Sequence, residues 1–409
     1  MKKITFLILI TTIFISMLTA CGANAEKSIS DPDAEGISSA EAEGISSAEA
    51  EDISSAEDGG NVYVGGIAFA ERLKLDFAEG FDVYYSEDGY KLIEVYDSAE
   101  YLIVPEGESV PEGLDEDVVV IKEPTENIYL AASSAMALIV RLGALDKIGF
   151  SGTKIGDWYV DEAAQAMEAG DILFAGKYSQ PDYELLVNEG CSLAVESTMI
   201  LHTPEVREKL IDLGIPVLID RSSYESHPLG RVEWIKLYGA LTGCEDEAES
   251  FFEEQEDMIS GLDGINASGK TVAFFYVNSN GQIVVRRPGD YIPEMIEMAG
   301  GEYIFDEIES ADPESNSGSV TISMEEFYAS ARDADYLIYN ATIESPIFSV
   351  EELVSKDALF SDFKAVKDGN VYMTDKYMYQ ATDILGEFIL DINGMLSGAD
   401  ELTFLTHVE

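Results

Sequence analysis

From Asn127 onward the chain alternates short apolar runs with helical segments, and this pattern constrains the fold more than any other feature. Residues 128–131 read as a strand, 135–142 as a helix closed by Gly143, and 147–150 as the next strand. Residues 192–195 form a third strand. Thr203 is expected to cap a helix that Pro204 begins and Gly214 ends, and Pro216 leads into Val217-Leu218-Ile219. Such βα repetition predicts a largely parallel sheet.

A second series follows. Residues 271–277, an Asn278-Ser279-Asn280-Gly281 turn and residues 282–286 predict a hairpin, and residues 291–299 a helix stopped by Gly300-Gly301. Ser323-Met324-Glu325-Glu326 has the form of a capping box, and a strand is expected at 336–339. Between the two series lies a nearly continuous helical stretch, 229–262, relieved only at Gly243. The expected fold class is therefore α/β: two lobes, each a mainly parallel sheet with flanking helices, joined by a rigid helix. Residues 62–126 predict a strand-rich extension, with a hairpin formed by 81–85 and 90–96 around a Gly89 turn. The boundaries are then 127–228 for the N-terminal lobe, 229–262 for the linking segment and 263–409 for the C-terminal lobe.

The chain opens with Lys2 and Lys3, an apolar run over 4–18 and Leu18-Thr19-Ala20-Cys21-Gly22. A charged start, a short apolar stretch and small residues at the cut read as an export signal over 1–20. Leu-Thr-Ala-Cys resembles the lipobox of bacterial lipoproteins, which implies acylation of Cys21 and a lipid-anchored, extracytoplasmic protein. Residues 34–57 are three copies of Ala-Glu-Gly-Ile-Ser-Ser-Ala-Glu, with Asp52 in place of Gly in the last. So little apolar surface cannot offset the entropy of ordering, so 21–61 is expected to be a disordered acidic spacer. The net charge of −55, from 79 acidic against 24 basic residues, argues against nucleic acid as a partner. Cys191 and Cys244 are the thiols left after lipidation, too few for a disulfide framework.

Four stretches in order resemble one family. They are Asn127-Ile128-Tyr129-Leu130-Ala131-Ala132-Ser133-Ser134-Ala135, then Leu142-Gly143-Ala144-Leu145-Asp146-Lys147-Ile148, then Pro181-Asp182-Tyr183-Glu184-Leu185-Leu186, and finally residues 363–372. Together they resemble the substrate-binding proteins of iron-siderophore and cobalamin ABC importers. The resemblance implies two lobes with little closure and a ligand between them. It also implies an ABC permease as partner, met by an acidic residue on each lobe, here Glu184 and Glu325. The strand-rich extension and residues 223–231 depart from the family pattern.

Open parallel sheets place ligands beyond the carboxyl ends of their strands. In the first lobe this selects Ser133, Ser134, Trp158, Tyr178, Met199, Arg221 and Tyr224, and in the second Arg286, Arg287 and Tyr377. Adjacent guanidiniums at 286 and 287 repel unless an anion or carboxylates meet them. Trp158, Tyr178 and Tyr224 suit stacking on a flat ligand, or else the rim of the core. Glu225 and Glu233 are expected to pair with Arg221 or Arg231. Met199, His202 and His227 are donors of the type that haem or cobalt takes, although His202 also reads as a helix-start residue. The sequence contains no HExxH, clustered Cys/His, P-loop, dinucleotide fingerprint or G-x-S-x-G elbow. The expectation is a non-enzymatic lipoprotein with no cofactor, binding a metal chelate that is a ferric siderophore or, alternatively, cobalamin or haem. A surface lipoprotein with an enzymatic or adhesive role is the reading from another class.

Overall fold

A computed structural model describes residues 62–262, 268–308, 318–399 and 401–409. Cys21, the export signal and the octapeptide repeats lie outside the described residues. The extension is a six-stranded sheet in sequence order: β1 (Val62–Val64), β2 (Ile67–Arg72), β3 (Phe81–Ser86), β4 (Lys91–Val95), β5 (Ala99–Val104) and β6 (Val119–Lys122). Alternation in β3 to β5 divides its side chains between two cores. Phe81, Val83, Ile93, Tyr101 and Ile103 face the main core, while Leu92, Leu102 and Val104 pack with Phe69 and Tyr90 on the outer face.

The first lobe carries a five-stranded, wholly parallel sheet ordered β13-β12-β7-β8-β9: β7 (Ile128–Leu130), β8 (Ile148–Ser151), β9 (Leu173–Phe174), β12 (Ala194–Ser197) and β13 (Val217–Asp220). A small hairpin, β10 (Gly176–Lys177) and β11 (Gln180–Pro181), follows β9. Its helices are α1 (Ala135–Arg141), α2 (Asp161–Ala169), α3 (Tyr183–Asn188) and α4 (Pro204–Asp212). Thr203 does stand before α4, but its hydroxyl donates to the Ile200 carbonyl at 3.4 Å instead of capping the helix. With ψ at 60°, Thr203 is not in the extended conformation typical of an N-cap, and Pro204 removes one of the donors a cap would serve.

The linking stretch is two helices, α5 (Pro228–Thr242) and α6 (Glu245–Ser260), separated at Gly243. They fold back on each other, since Lys236 of α5 reaches Glu249 at 3.1 Å and the Phe252 ring at 4.4 Å, both on α6. The second lobe contains β14 (Thr271–Val277), β15 (Ile283–Arg286), α7 (Tyr291–Met298), β16 (Glu302–Tyr303), β17 (Ser319–Ile322), α8 (Met324–Ala331), β18 (Tyr336–Tyr339), α9 (Val350–Lys356), α10 (Lys364–Asp368), β19 (Val371–Thr374), α11 (Leu385–Ser397) and β20 (Leu405–His407). Its seven strands form one sheet in which β16, β14, β18 and β19 are parallel. The predicted capping box is present: Ser323 Oγ accepts from the Glu326 N–H, and Glu326 accepts from the Ser323 N–H at 2.9 Å. Cys191 and Cys244 are both free thiols.

Two buried carboxylates fasten the extension to α5. Glu233 accepts the backbone N–H groups of Asp76, Phe77 and Ala78 at 2.7 to 2.9 Å and lies 3.2 Å from the Lys236 ammonium. Glu225 accepts from Glu79 and Gly80 at 3.0 and 2.9 Å and from the Trp234 indole at 2.9 Å. The loop approaches so closely that a Cβ at Gly230 would stand 3.0 Å from the Phe77 carbonyl, and one at Gly80 2.8 Å from Glu225. The expected pairing of Glu225 and Glu233 with Arg221 or Arg231 is therefore corrected: a loop of unpaired amides had the stronger claim on them.

Candidate functional site

The first-lobe rim is built from the loops that leave its parallel strands. Beyond β7, Ser133 and Ser134 are half-buried at the start of α1, and the Ser134 carbonyl accepts the Thr382 hydroxyl of the other lobe at 3.1 Å. Beyond β8, Trp158 lies in the main core and donates its indole N–H to Ser151 Oγ at 3.1 Å. It is part of the core rim and is not available for stacking on a ligand. Beyond β12, Ser197 accepts the Met199 N–H, leaving the Met199 and Leu201 side chains exposed. Beyond β13, the Arg221 guanidinium lies over Tyr224, 4.7 Å from the ring centre, and Tyr224 is 43% exposed. Ile155 and Tyr159, next to the β8 loop, are exposed as well. Tyr178 sits half-buried in the turn between β10 and β11.

In the second lobe, β14, β18 and β19 end on the corresponding rim, where Ile343, Phe348 and Tyr379 are exposed. β15 runs antiparallel to β14, and Arg286, at its end, stands opposite the middle of β14, one residue back from the Phe275–Val285 pair. There it is largely buried in a crevice with Tyr276 and Asn340, 3.6 Å from Asp290. Burial opposes its charge, but Asp290 and nearby tyrosines outweigh that and leave its pKa raised. Arg287 follows in the same turn, with its N–H on the Gly318 carbonyl. Arg231 stacks on Tyr291 at 4.0 Å and donates to the Ser223 carbonyl.

A strap after β19 closes part of the gap between the lobes. The Gln380 side chain accepts the Tyr159 N–H at 2.8 Å and donates to the Asp157 carbonyl at 2.9 Å, reading both sides of the β8 loop. Arg141 meets Asp383 at 2.7 Å. Tyr377 turns its hydroxyl to Asp383 at 3.2 Å, and burial together with that carboxylate raises its pKa. The sequence reading missed Gln380, Thr382 and Asp383, because nothing local marks a polar strap that is satisfied only across lobes. Glu233 did leave a signal: with Lys236 it is an acid–base pair in a helix whose one other charged residue is Arg231.

Glu196, on β12, is fully buried, and neither of its carboxylate oxygens has a hydrogen-bond partner. Burial holds its pKa well above the ordinary carboxylate range. His202 is exposed at the end of the turn before Thr203, and His227 caps α5 and stacks on Phe77 at 4.5 Å. The His227 Nδ1 is thus taken up by the cap. Glu184 on α3 and Glu325 on α8 are both exposed. A cavity of about 460 Å³ lies at the extension, lined by Arg72, Lys74, Asp82 and Tyr96. Its polar groups largely satisfy one another, with Arg72 forked onto Asp82 at 2.8 and 2.7 Å and the Tyr96 hydroxyl donating to the same carboxylate.

Residues 132–378, which include most of both rims, match the periplasmic binding protein family. The chain belongs to this family. Two uncharacterized lipoproteins of Methanocaldococcus jannaschii are similar to it. One is 25% identical over 360 residues, covering 79% of this chain and 81% of its own. The other is 24% identical over 349 residues, covering 82% and 84%. Among solved structures, a possible iron-binding periplasmic solute-binding protein of Staphylococcus epidermidis aligns with a TM-score of 0.51 at 18% identity, over 66% of this chain and 97% of that one. A periplasmic heme-binding protein of Pseudomonas aeruginosa aligns with a TM-score of 0.52 at 16% identity, over 70% and 98%. At such identities the structures establish the shared fold, and the extension over β1 to β6 lies outside the family match.

Proposed function

We propose that this periplasmic binding protein is an extracytoplasmic lipoprotein, anchored through Cys21, that captures a ferric siderophore and delivers it to an ABC permease. The observation that carries the reading is the rim itself. Exposed apolar and aromatic side chains gather in the loops at the carboxyl ends of both sets of parallel strands, where a large, flat or apolar solute finds contact area, and Arg221 adds a cation for an acidic chelate. The related lipoproteins of M. jannaschii support the anchored placement, and the iron-binding and heme-binding proteins of the same fold support the cargo class. Cobalamin or haem is the second reading, favoured by the exposed Met199 thioether beside Leu201.

Titration of the purified protein with a ferric triscatecholate, ferrioxamine, haemin and cyanocobalamin tests this. Tight, saturable binding of a ferric chelate is expected. Exclusive binding of haemin or cyanocobalamin moves the cargo to the second reading, and binding of none rejects the site. Glu184 and Glu325 are the proposed contacts to the permease, and charge pairs of this kind govern register and encounter. Glu184→Arg with Glu325→Arg is expected to abolish uptake while leaving chelate affinity intact.

A further inference from the structure

The extension meets the first lobe at the end of β13, next to the segment that departs from the family pattern. Tyr101 of β5 accepts the Ile219 N–H at 3.3 Å, so the extension lies along the edge strand of the lobe's sheet. The tight turn joining β4 to β5 then reaches beyond that edge to the rim. In it Asp97 has a φ of 54° and receives Arg221 twice, on its backbone carbonyl at 3.3 Å and on its carboxylate at 3.4 Å. Arg221 is only 17% exposed, held between this turn and the Tyr224 ring.

Ordering a long, flexible arginine side chain on binding costs free energy, and contacts that already hold it in place lower that cost. The Tyr224 ring supplies one contact, and Asp97 supplies the other. We propose that Asp97 is a positioning residue of the ligand site: the extension holds the Arg221 guanidinium over Tyr224, so that the two form a fixed cationic and aromatic surface that favours anionic, aromatic chelates. This rests on the reading of the rim as a chelate site and adds the extension to its wall. Two guanidinium N–H groups engage Asp97 out of the five available, leaving donors for a ligand oxygen.

Asp97→Asn tests this in the full chain. Asn tolerates the left-handed backbone and keeps the carbonyl while removing the charge. For whichever of ferric triscatecholate and haemin the wild type binds, Asp97→Asn is expected to raise Kd about fivefold, the scale of a partly exposed ion pair. Ferrioxamine, which lacks both the aromatic ring and the negative charge, should bind as before, and the melting temperature should hold. Asp97→Glu should recover part of the lost affinity, and Arg221→Lys should show the same selective loss as Asp97→Asn. An unchanged Kd in Asp97→Asn, or equal losses for aromatic and non-aromatic chelates, overturns the positioning role and leaves the proposed function standing. Wild-type binding of only ferrioxamine or cyanocobalamin also overturns it. If the wild type binds none of the probes, the site reading fails and this inference falls with it.

Discussion

The two seams of the molecule are made of different chemistry. Where the extension meets α5, the fully buried Glu233 and the nearly buried Glu225 receive five backbone N–H groups. Where the lobes meet at the strap, a neutral amide, Gln380, and a hydroxyl, Thr382, take backbone partners, and the buried Asp383 pairs with Arg141, whose side chain is 44% exposed. Hydrogen bonds to a charged group are roughly twice as strong as neutral ones, and stripping one partner from a buried charge is costly. The first seam is thus built to stay shut. The second relies on neutral groups and on a single buried carboxylate, Asp383.

The largest expected effect is at the first seam. Glu233→Ala leaves the amides of the 76–78 loop unpaired and weakens the support of the buried Lys236, and is expected to destabilise the protein by about 3–5 kcal/mol. Urea unfolding measures the loss, and hydrogen exchange at residues 76–80 should accelerate. A loss under about 1 kcal/mol would mean that the carboxylate is not what holds the loop.

Glu196 is the internal control for that argument, buried as completely as Glu233 but bonded to nothing. Its pKa is raised by burial, so its contribution to stability is full below the ordinary carboxylate range and is lost as pH rises toward the folded value. Glu196→Met, similar in length and apolar, is expected to stabilise the protein at pH 7.5 by about 1–3 kcal/mol. The gain should shrink as pH falls toward 4.5. A destabilised variant at pH 7.5 would show that the carboxyl has a partner after all, such as an ordered water.

The contrast between the seams also explains what could be read in the sequence. Periodicity and caps locate β7, α1, β13, α7 and the Ser323 capping box, because each depends on residues within a few positions of one another. Arg286 was expected at the rim because it ends a strand; that it is largely buried beside Tyr276 and Asn340 depends on strand pairing, which is not local. Glu225 and Glu233 looked like partners for nearby arginines, since their true partners are backbone amides about 150 residues earlier in the chain. Trp158 follows the same logic, having found Ser151 before any ligand could. The extension and residues 223–231, two separate departures from the family pattern in the sequence, are one feature in space: Glu225 belongs to the second and binds the loop of the first.

At the second seam a smaller effect is expected. Gln380→Ala removes two neutral hydrogen bonds to the β8 loop and should cost about 1–2 kcal/mol in global stability. Hydrogen exchange should quicken at the Tyr159 amide and remain unchanged at 76–80. Faster exchange at both places would mean that the two seams open together and that the comparison does not separate them.

The smallest effect concerns pH at the first seam. His227 accepts the Leu229 N–H on Nδ1 at 3.2 Å and stacks on Phe77, so it joins the α5 cap to the clamped loop. Burial lowers its pKa, and Glu225 and Glu233 only partly oppose that. The sign follows directly: as pH falls through about 6.5, the unfolded imidazole takes up a proton that the folded one still refuses, so stability declines from there downward until the folded group titrates. Protonation also turns Nδ1 from acceptor to donor and ends the cap. Asn caps helices well and does not titrate in this range. The stability difference between wild type and His227→Asn, measured by urea unfolding at pH 7.5 and 5.0, should therefore shift in favour of the variant at the lower pH. Taking the difference cancels the many carboxylates that titrate in both proteins. If it is the same at both pH values, His227 does not couple the seam to pH.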